Sequence, residues 1–237
     1  MSASTGAEPA VHDDLRSRIA TAVAHPVLGR RPRRTALTLV ALVALVALHL
    51  ASYLASREVV GVRAQTTSTA FDTLSAIVII VSLVAIVLGP FCYALWNGGP
   101  ALSFAIPLVP IAFGELAARR WVLDVDAAVA LTTGVAGAAL ALYTTEVAAT
   151  GSTRPWRRRR LAPGSSLFVA VVGVGSAVAV SRFLLLAPDR LVDAYIPFAG
   201  LWLVALGVGG AYGVDWVRRY RDRSGQPTDG LTDSHPP

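Results

Sequence analysis

The chain has 237 residues, of which 54% are hydrophobic and only 15% charged, and its mean hydropathy is +0.57. A soluble domain of this length carries about 25% charged residues, so the shortfall excludes an ordinary soluble domain and points to a surface that faces lipid. The net charge is +6 and all 21 basic residues are arginine. They flank apolar runs and form no stripe on a soluble domain, which argues for membrane topology and against nucleic-acid binding.

Residues 1–34 read as a cytoplasmic N-terminal segment. Val11, Leu15, Ile19 and Val23 recur every four residues with Asp13, Asp14, Arg16 and Arg18 between them. This spacing predicts a short amphipathic helix ending near His25-Pro26. Such a helix suits the inner membrane surface, helped by the arginines that follow; a cytoplasmic lid is the other reading.

The membrane domain is expected over 35–217. A spanning helix needs about 20 predominantly apolar residues, and the sequence predicts six: Thr35–Ala55, Leu74–Trp96, Ala101–Ala117, Ala127–Ala149, Ser165–Ala187 and Tyr195–Val217. The paired arginines Arg30-Arg31 and Arg33-Arg34 before the first span also fit a signal or twin-arginine leader. The apolar run is too long for a signal core and five more spans follow, so it is read as an anchor. Within it His49 and Tyr53 share a face at i, i+4 spacing, which fits a hydrogen-bonded helix contact or a proton relay. Cys92, the only cysteine, excludes an intrachain disulfide and a Cys-rich metal site.

Spans two and three are predicted to form a helical hairpin. Trp96 sits where an interfacial aromatic belongs, and Asn97-Gly98-Gly99-Pro100 reads as a tight turn with proline opening the next helix. Span three carries Pro107, Pro110 and Glu115. The prolines lack N–H groups and leave the carbonyls of Ser103 and Ile106 without helical partners. In lipid those carbonyls need satisfaction from neighbouring helices, water or an ion. A broken helix plus a carboxylate is one way transporters build ion sites; a packing kink is the other reading.

Asp124 and Asp126 lie in the loop before span four, with Asp126 expected as its N-cap. Glu146 and Asp215 fall near the inner ends of spans four and six, where pairing with nearby arginines accounts for them. Arg182 lies well inside the apolar run of span five, a costly depth for a guanidinium. Glu115 and Arg182 both fall towards the outer ends of their helices, which predicts an ion pair serving as a helix clamp or as an anion or proton site. Gly173, Gly209 and Gly213 are expected to mark close helix packing, with Gly-x-x-x-Gly spacing in span six. The residues 218–237 form a basic and then disordered tail, rich in Gly, Pro, Asp, Ser and Thr.

Arginine counts orient the set. Arg16, Arg18, Arg30, Arg31, Arg33 and Arg34, then Arg154 and Arg157 to Arg160, then Arg218, Arg219, Arg221 and Arg223 all fall on one side of a six-span chain. The other side receives Arg57, Arg63, Arg119, Arg120 and Arg190. The positive-inside rule then makes both termini cytoplasmic. Each set of three spans would have opposite orientation, which is compatible with an inverted 3+3 repeat.

The arginine-only usage, the Ala/Val/Thr/Asp-rich texture, the Gly29-Arg30-Arg31-Pro32-Arg33-Arg34 lead into span one and the Asn97-Gly98-Gly99-Pro100 turn resemble uncharacterised multi-pass membrane proteins of halophilic archaea. The resemblance covers general texture over the whole chain and implies no assigned activity. The sequence holds no hydrolase elbow, HExxH, P-loop or CxxC, and no cofactor, metal or nucleic-acid partner is expected. The expected fold is an all-α, polytopic integral membrane bundle of six transmembrane helices in the cell membrane. The expected partners are the lipid bilayer and either a second copy or another membrane protein. The expected function is a membrane scaffold or interaction protein; the alternative is a small transporter or channel built on kinked span three.

Overall fold

The computed structural model describes residues 17–18, 20–61, 68–118, 123–157 and 163–224. The amphipathic helix expected from Val11 lies largely outside the described residues, and the tail after Ser224 lies wholly outside them. All regular secondary structure among the described residues is helical. The helices are α1 (Pro32–Gly61), α2 (Ser68–Val87), α3 (Gly89–Trp96), α4 (Pro100–Ala118), α5 (Val125–Thr150), α6 (Pro163–Leu186), α7 (Asp189–Ala199) and α8 (Trp202–Ser224), with a 3-10 turn at Pro155–Arg157.

Three helices are long and apolar enough to cross a membrane: Pro32–Ala55, Val125–Thr150 and Gly164–Leu186. The count reaches five if each of two bent pairs is one span, and α4 contributes a shorter apolar stretch, Pro100–Gly114. Helix α5 is the axis of the bundle. Of its most apolar stretch 78% is buried, against 11% for α1 and 17% for α6. The cause is its composition. Ala128, Ala130, Gly134, Ala136, Gly137, Ala138, Ala139 and Ala141 are all buried, and small residues let neighbouring backbones approach closely. A Cβ at Gly134 would lie 3.0 Å from the Phe104 carbonyl of α4, and one at Gly137 would lie 2.5 Å from Cβ of Pro90 in α3. The outward faces of α2, α6 and α8 carry exposed Ile79, Ile80, Leu83, Val171, Val174, Leu185 and Leu203.

The sequence predicts one unbroken span over Leu74–Trp96, and the chain bends there by 53° between α2 and α3. Pro90 is the physical reason: it has no N–H to give to the carbonyl of Ile86. The stretch expected as span six is likewise broken, with α7 and α8 meeting at 49° across Gly200 and Leu201. Helix α7 begins at Asp189, six residues before the expected start of the span, and is amphipathic. Asp189, Arg190 and Asp193 are exposed on it, while Tyr195 is buried against Phe183. The Tyr195 hydroxyl accepts from Trp202 Nε1 at 2.8 Å and lies 2.9 Å from Thr132 Oγ1, which in turn donates to Ala128 O. This hydrogen-bonded chain holds the junction of α7 and α8 to α5.

Helix α5 starts two residues before the position that the sequence suggests. The N-cap is Asp124, whose Oδ1 accepts from Ala127 N at 2.9 Å, and not Asp126. Asp126 lies in the first turn instead, where the helix dipole favours a carboxylate.

Candidate functional site

The most highly connected polar site lies at one end of the bundle, where three parts of the chain meet. These are the lead into α1 (Val27–Thr35), the turn between α3 and α4 (Asn97–Pro100) and the last turns of α5. The turn forms because Gly98 adopts φ +73°, a left-handed conformation that favours glycine, and because Pro100 opens α4. A hairpin turn is expected at the surface, yet Asn97, Gly98, Gly99 and Pro100 are all buried. The residues before α1 cover them.

Asn97 is the centre of this arrangement and every polar group it has is used. Its Nδ2 donates to Thr35 Oγ1 at 3.0 Å and to Tyr93 Oη at 2.8 Å. Its Oδ1 accepts from Arg31 N at 3.0 Å, and its backbone carbonyl accepts from Arg30 N at 3.0 Å. Tyr93 Oη then donates to Leu28 O at 2.6 Å, and Ala101 N donates to Val27 O at 3.0 Å. Arg34 hydrogen-bonds the Trp96 carbonyl, and its guanidinium lies 5.0 Å over the Trp96 ring. A Cβ at Gly99 would overlap the Leu28 carbonyl, and one at Gly29 would overlap Asn97 Nδ2. Two glycines are therefore required here by space, not by conformation.

Helix α5 completes the site with two threonines, Thr144 and Thr145, and holds the Pro90 bend further along with a third, Thr133. Thr133 Oγ1 donates to Ile86 O at 2.7 Å, supplying the partner that Pro90 cannot. Thr144 Oγ1 donates to Ala94 O at 2.9 Å and Thr145 Oγ1 to Gly98 O at 2.6 Å. Gly98 N bonds Tyr93 O, so the Ala94 carbonyl has no donor from its own helix end. Each hydroxyl thus satisfies a carbonyl that the broken backbone has orphaned, which in an apolar surrounding avoids a cost of about 1–3 kcal/mol apiece.

The residues singled out from the sequence fall elsewhere. Pro107 and Pro110 are buried in the middle of α4. Among the described residues no side chain donates to the Ser103 or Ile106 carbonyls, and Ser103 Oγ is itself buried without a hydrogen-bond partner. Glu115 belongs to α4, but its side chain lies outside the described residues, and the proposed pair with Arg182 falls outside them too. Arg182 is exposed on α6. His49 is a helix contact: Nδ1 lies 2.8 Å from Leu45 O, Nε2 lies 2.9 Å from Ser82 Oγ of α2, and the ring is 5.4 Å from that of Phe113 in α4. Gly173 has Val135 Cγ1 3.9 Å from where its Cβ would be, whereas a Cβ at Gly209 or Gly213 would meet nothing within 4 Å. Within the chain the close helix packing is at Gly89, Gly134 and Gly137 instead. Glu146 is buried near the end of α5, beside Tyr143, Trp156 and Tyr212 in the same region.

Sequence reasoning had the turn but missed its role. Asn97 is the only asparagine of the chain. A lone amide between an apolar span and Gly-Gly-Pro is a signal that the turn is buried and must be satisfied from within. Threonines at 133, 144 and 145 on an otherwise small and apolar helix are the matching signal. Among the described residues no group of three or more His, Cys, Asp or Glu converges to hold a metal. With donors and acceptors matched one to one, the site can fix backbone positions; it presents no nucleophile–base pair. Compared with known proteins, the chain matches no family model, no curated protein and no solved structure.

Proposed function

We propose that the chain is a multi-pass membrane scaffold or interaction protein, with six crossings and both termini on the cytoplasmic side of the cell membrane. The observation that carries this reading is an interior whose buried polar side chains mostly satisfy one another, Ser103 Oγ and Tyr212 Oη excepted. Asn97, Tyr93, Thr35, Thr132, Thr133 and Tyr195 are spent on one another or on orphaned carbonyls. The axial helix is sheathed by its neighbours, and apolar side chains face outwards. A protein that moves a solute needs polar groups left over for the solute; a protein that holds a shape does not. The orientation is supported by the arginine distribution and by the shared end at which Arg30, Arg31, Arg34 and Arg154 lie with the Asn97 turn. The six-span count adds α4 and the two bent pairs to the three long helices. The partners of this reading are the bilayer and a second copy or another membrane protein on the outward faces.

A second reading, a small transporter or channel using kinked α4 with Glu115 and Arg182, rests on one specific observation. Ser103 Oγ is buried and unpartnered one turn before Pro107, beside a carbonyl that the proline has freed. Thermal unfolding of the purified protein in detergent, with ions and small metabolites and beside a Glu115→Gln variant, separates the two. The scaffold reading expects no ligand to raise the unfolding temperature. A ligand present at a hundredfold its dissociation constant adds about 2.7 kcal/mol to the folded state. Stabilisation of that size that vanishes in Glu115→Gln sinks the scaffold reading and installs the transport one.

A further inference from the structure

Arg30 and Arg34 bring two guanidiniums to the same end of α3. Arg30 Nε donates to Asn97 O at 3.4 Å, and Arg34 donates to Trp96 O. These carbonyls are consecutive in the chain, so the two cations stand side by side. Arg30 lies along the turn, where a Cβ at Gly98 would be 3.1 Å from its Nε, and the Arg34 guanidinium is stacked 5.0 Å over the Trp96 ring. Stacking uses the face of a guanidinium and leaves its edge, so each arginine keeps N–H donors beyond the one spent on a carbonyl. No acidic residue stands near them in sequence. None occurs between Asp14 and Glu58, the stretch that carries Arg30, Arg31, Arg33 and Arg34, and none between Asp72 and Glu115, the stretch that carries the turn. On α5, Thr144 and Thr145 face the turn, while Glu146 is turned towards Tyr212.

We propose that Arg30 and Arg34 form a binding site for a phosphate oxyanion, supplied by the headgroup of an anionic membrane phospholipid. Two like charges held side by side repel, and an anion shared between them turns that cost into attraction. The planar fork of a guanidinium matches phosphate oxygens edge on. Arg31 and Arg33, exposed beside them, add positive charge around the site. What favours a lipid over a free anion is the apolar rim. Leu95 and Trp96 on α3 are exposed, and so is Leu37 on α1, one turn after Arg34. A soluble ion gains nothing from that rim, whereas the acyl chains of a headgroup bound here would lie against it. The proposal rests on the bilayer being a partner of the chain, and holds for a scaffold and for a transporter alike.

The test is native mass spectrometry of the full chain in detergent, titrated with phosphatidylglycerol, with phosphatidylcholine of the same acyl chains, and with inorganic phosphate. Phosphatidylglycerol is expected to be retained in preference to phosphatidylcholine, and inorganic phosphate at the same concentration is expected not to displace it. Arg30→Gln keeps the bond from the backbone N of residue 30 to Asn97 O and so keeps the turn. It is expected to weaken phosphatidylglycerol binding about tenfold, the loss of one charge-assisted hydrogen bond. Arg34→Lys keeps the charge and loses the fork, and should weaken it as well, whereas Arg190→Gln, exposed on α7, should leave it unchanged. Equal retention of the two lipids overturns the proposal, as does phosphatidylglycerol binding that Arg30→Gln leaves unmoved. Displacement by inorganic phosphate marks a free-anion site and overturns the lipid assignment. A chain that phosphatidylcholine vesicles fail to take up sinks the bilayer reading itself, a failure distinct from that of the arginine pair.

Discussion

Two apolar stretches of this bundle carry internal prolines, and they are treated differently. At Pro90 the freed Ile86 carbonyl receives a hydroxyl from Thr133, and the end of the same short helix is closed by Thr144, Thr145 and Asn97. At Pro107 and Pro110 no side chain among the described residues replaces the lost N–H groups, and Ser103 Oγ adds a buried hydroxyl without a partner. The first break is bent by 53° and stitched on every side. The second runs through as one helix, Pro100–Ala118, packed by Gly134 at the proline face. The difference teaches that a proline in a membrane helix does not by itself mark a site. What matters is whether the neighbouring helix carries the donors that the proline removes.

The largest effect is expected where the stitched break leaves no room at all. Gly99→Ala drives a methyl into the Leu28 carbonyl, with Gly29 N only 2.7 Å away, and backbone cannot yield as a side-chain tip can. Displacing the residues before α1 also undoes the bonds from Arg30 N and Arg31 N to Asn97. A loss of about 4 kcal/mol or more is expected, which in detergent means little monodisperse protein. A well-folded Gly99→Ala protein with unchanged unfolding temperature would show that the lead into α1 does not sit on the turn.

A smaller effect, about 2 kcal/mol, is expected for Thr133→Val, which keeps the shape and removes the donor to Ile86 O. The sharper measurement is a double-mutant cycle. In a Pro90→Ala background the helix can regain its own N–H for Ile86 O, so the threonine matters less and the two changes couple. Additive effects would mean that Thr133 stabilises α5 for some other reason. Thr144→Val should cost less, about 1 kcal/mol, because its Ala94 bond is only partly buried and lies near the bundle end.

The coarse plan, an all-helical chain with several helices long and apolar enough to cross a membrane, was legible in the sequence in its long apolar stretches and glycine–proline punctuation. The break at Pro90 was also written there, but in a residue that reads as tolerable inside a span until its carbonyl partner is sought. Asn97 was recognised as a turn residue and not as the hub of a buried network, since burial of the turn depends on Leu28 and Gly29, some 70 residues away in sequence. Such long-range pairing leaves no periodic trace. Gly209 and Gly213 illustrate the converse. Their spacing predicts close packing, yet a Cβ there meets nothing in this chain. Spacing alone does not say whether the matching surface belongs to a neighbouring helix or to another molecule.

The smallest expected effect bears most directly on the unstitched prolines of α4. Ser103→Ala removes a hydroxyl that is fully buried and bonded to nothing. A buried polar group without a partner is a cost, and alanine is the better helix former, so the substitution should be neutral or stabilising by up to about 1 kcal/mol. Thermal unfolding in detergent reads this directly, and the comparison with Thr133→Val is the informative one. Both substitutions delete a buried hydroxyl next to a proline-freed carbonyl, and only the one with a partner should hurt. If Ser103→Ala instead destabilises the protein as Thr133→Val does, its hydroxyl is satisfied by something outside the chain, a water or a bound ion. The proline-bearing helix would then be a working site and the scaffold reading would give way to transport.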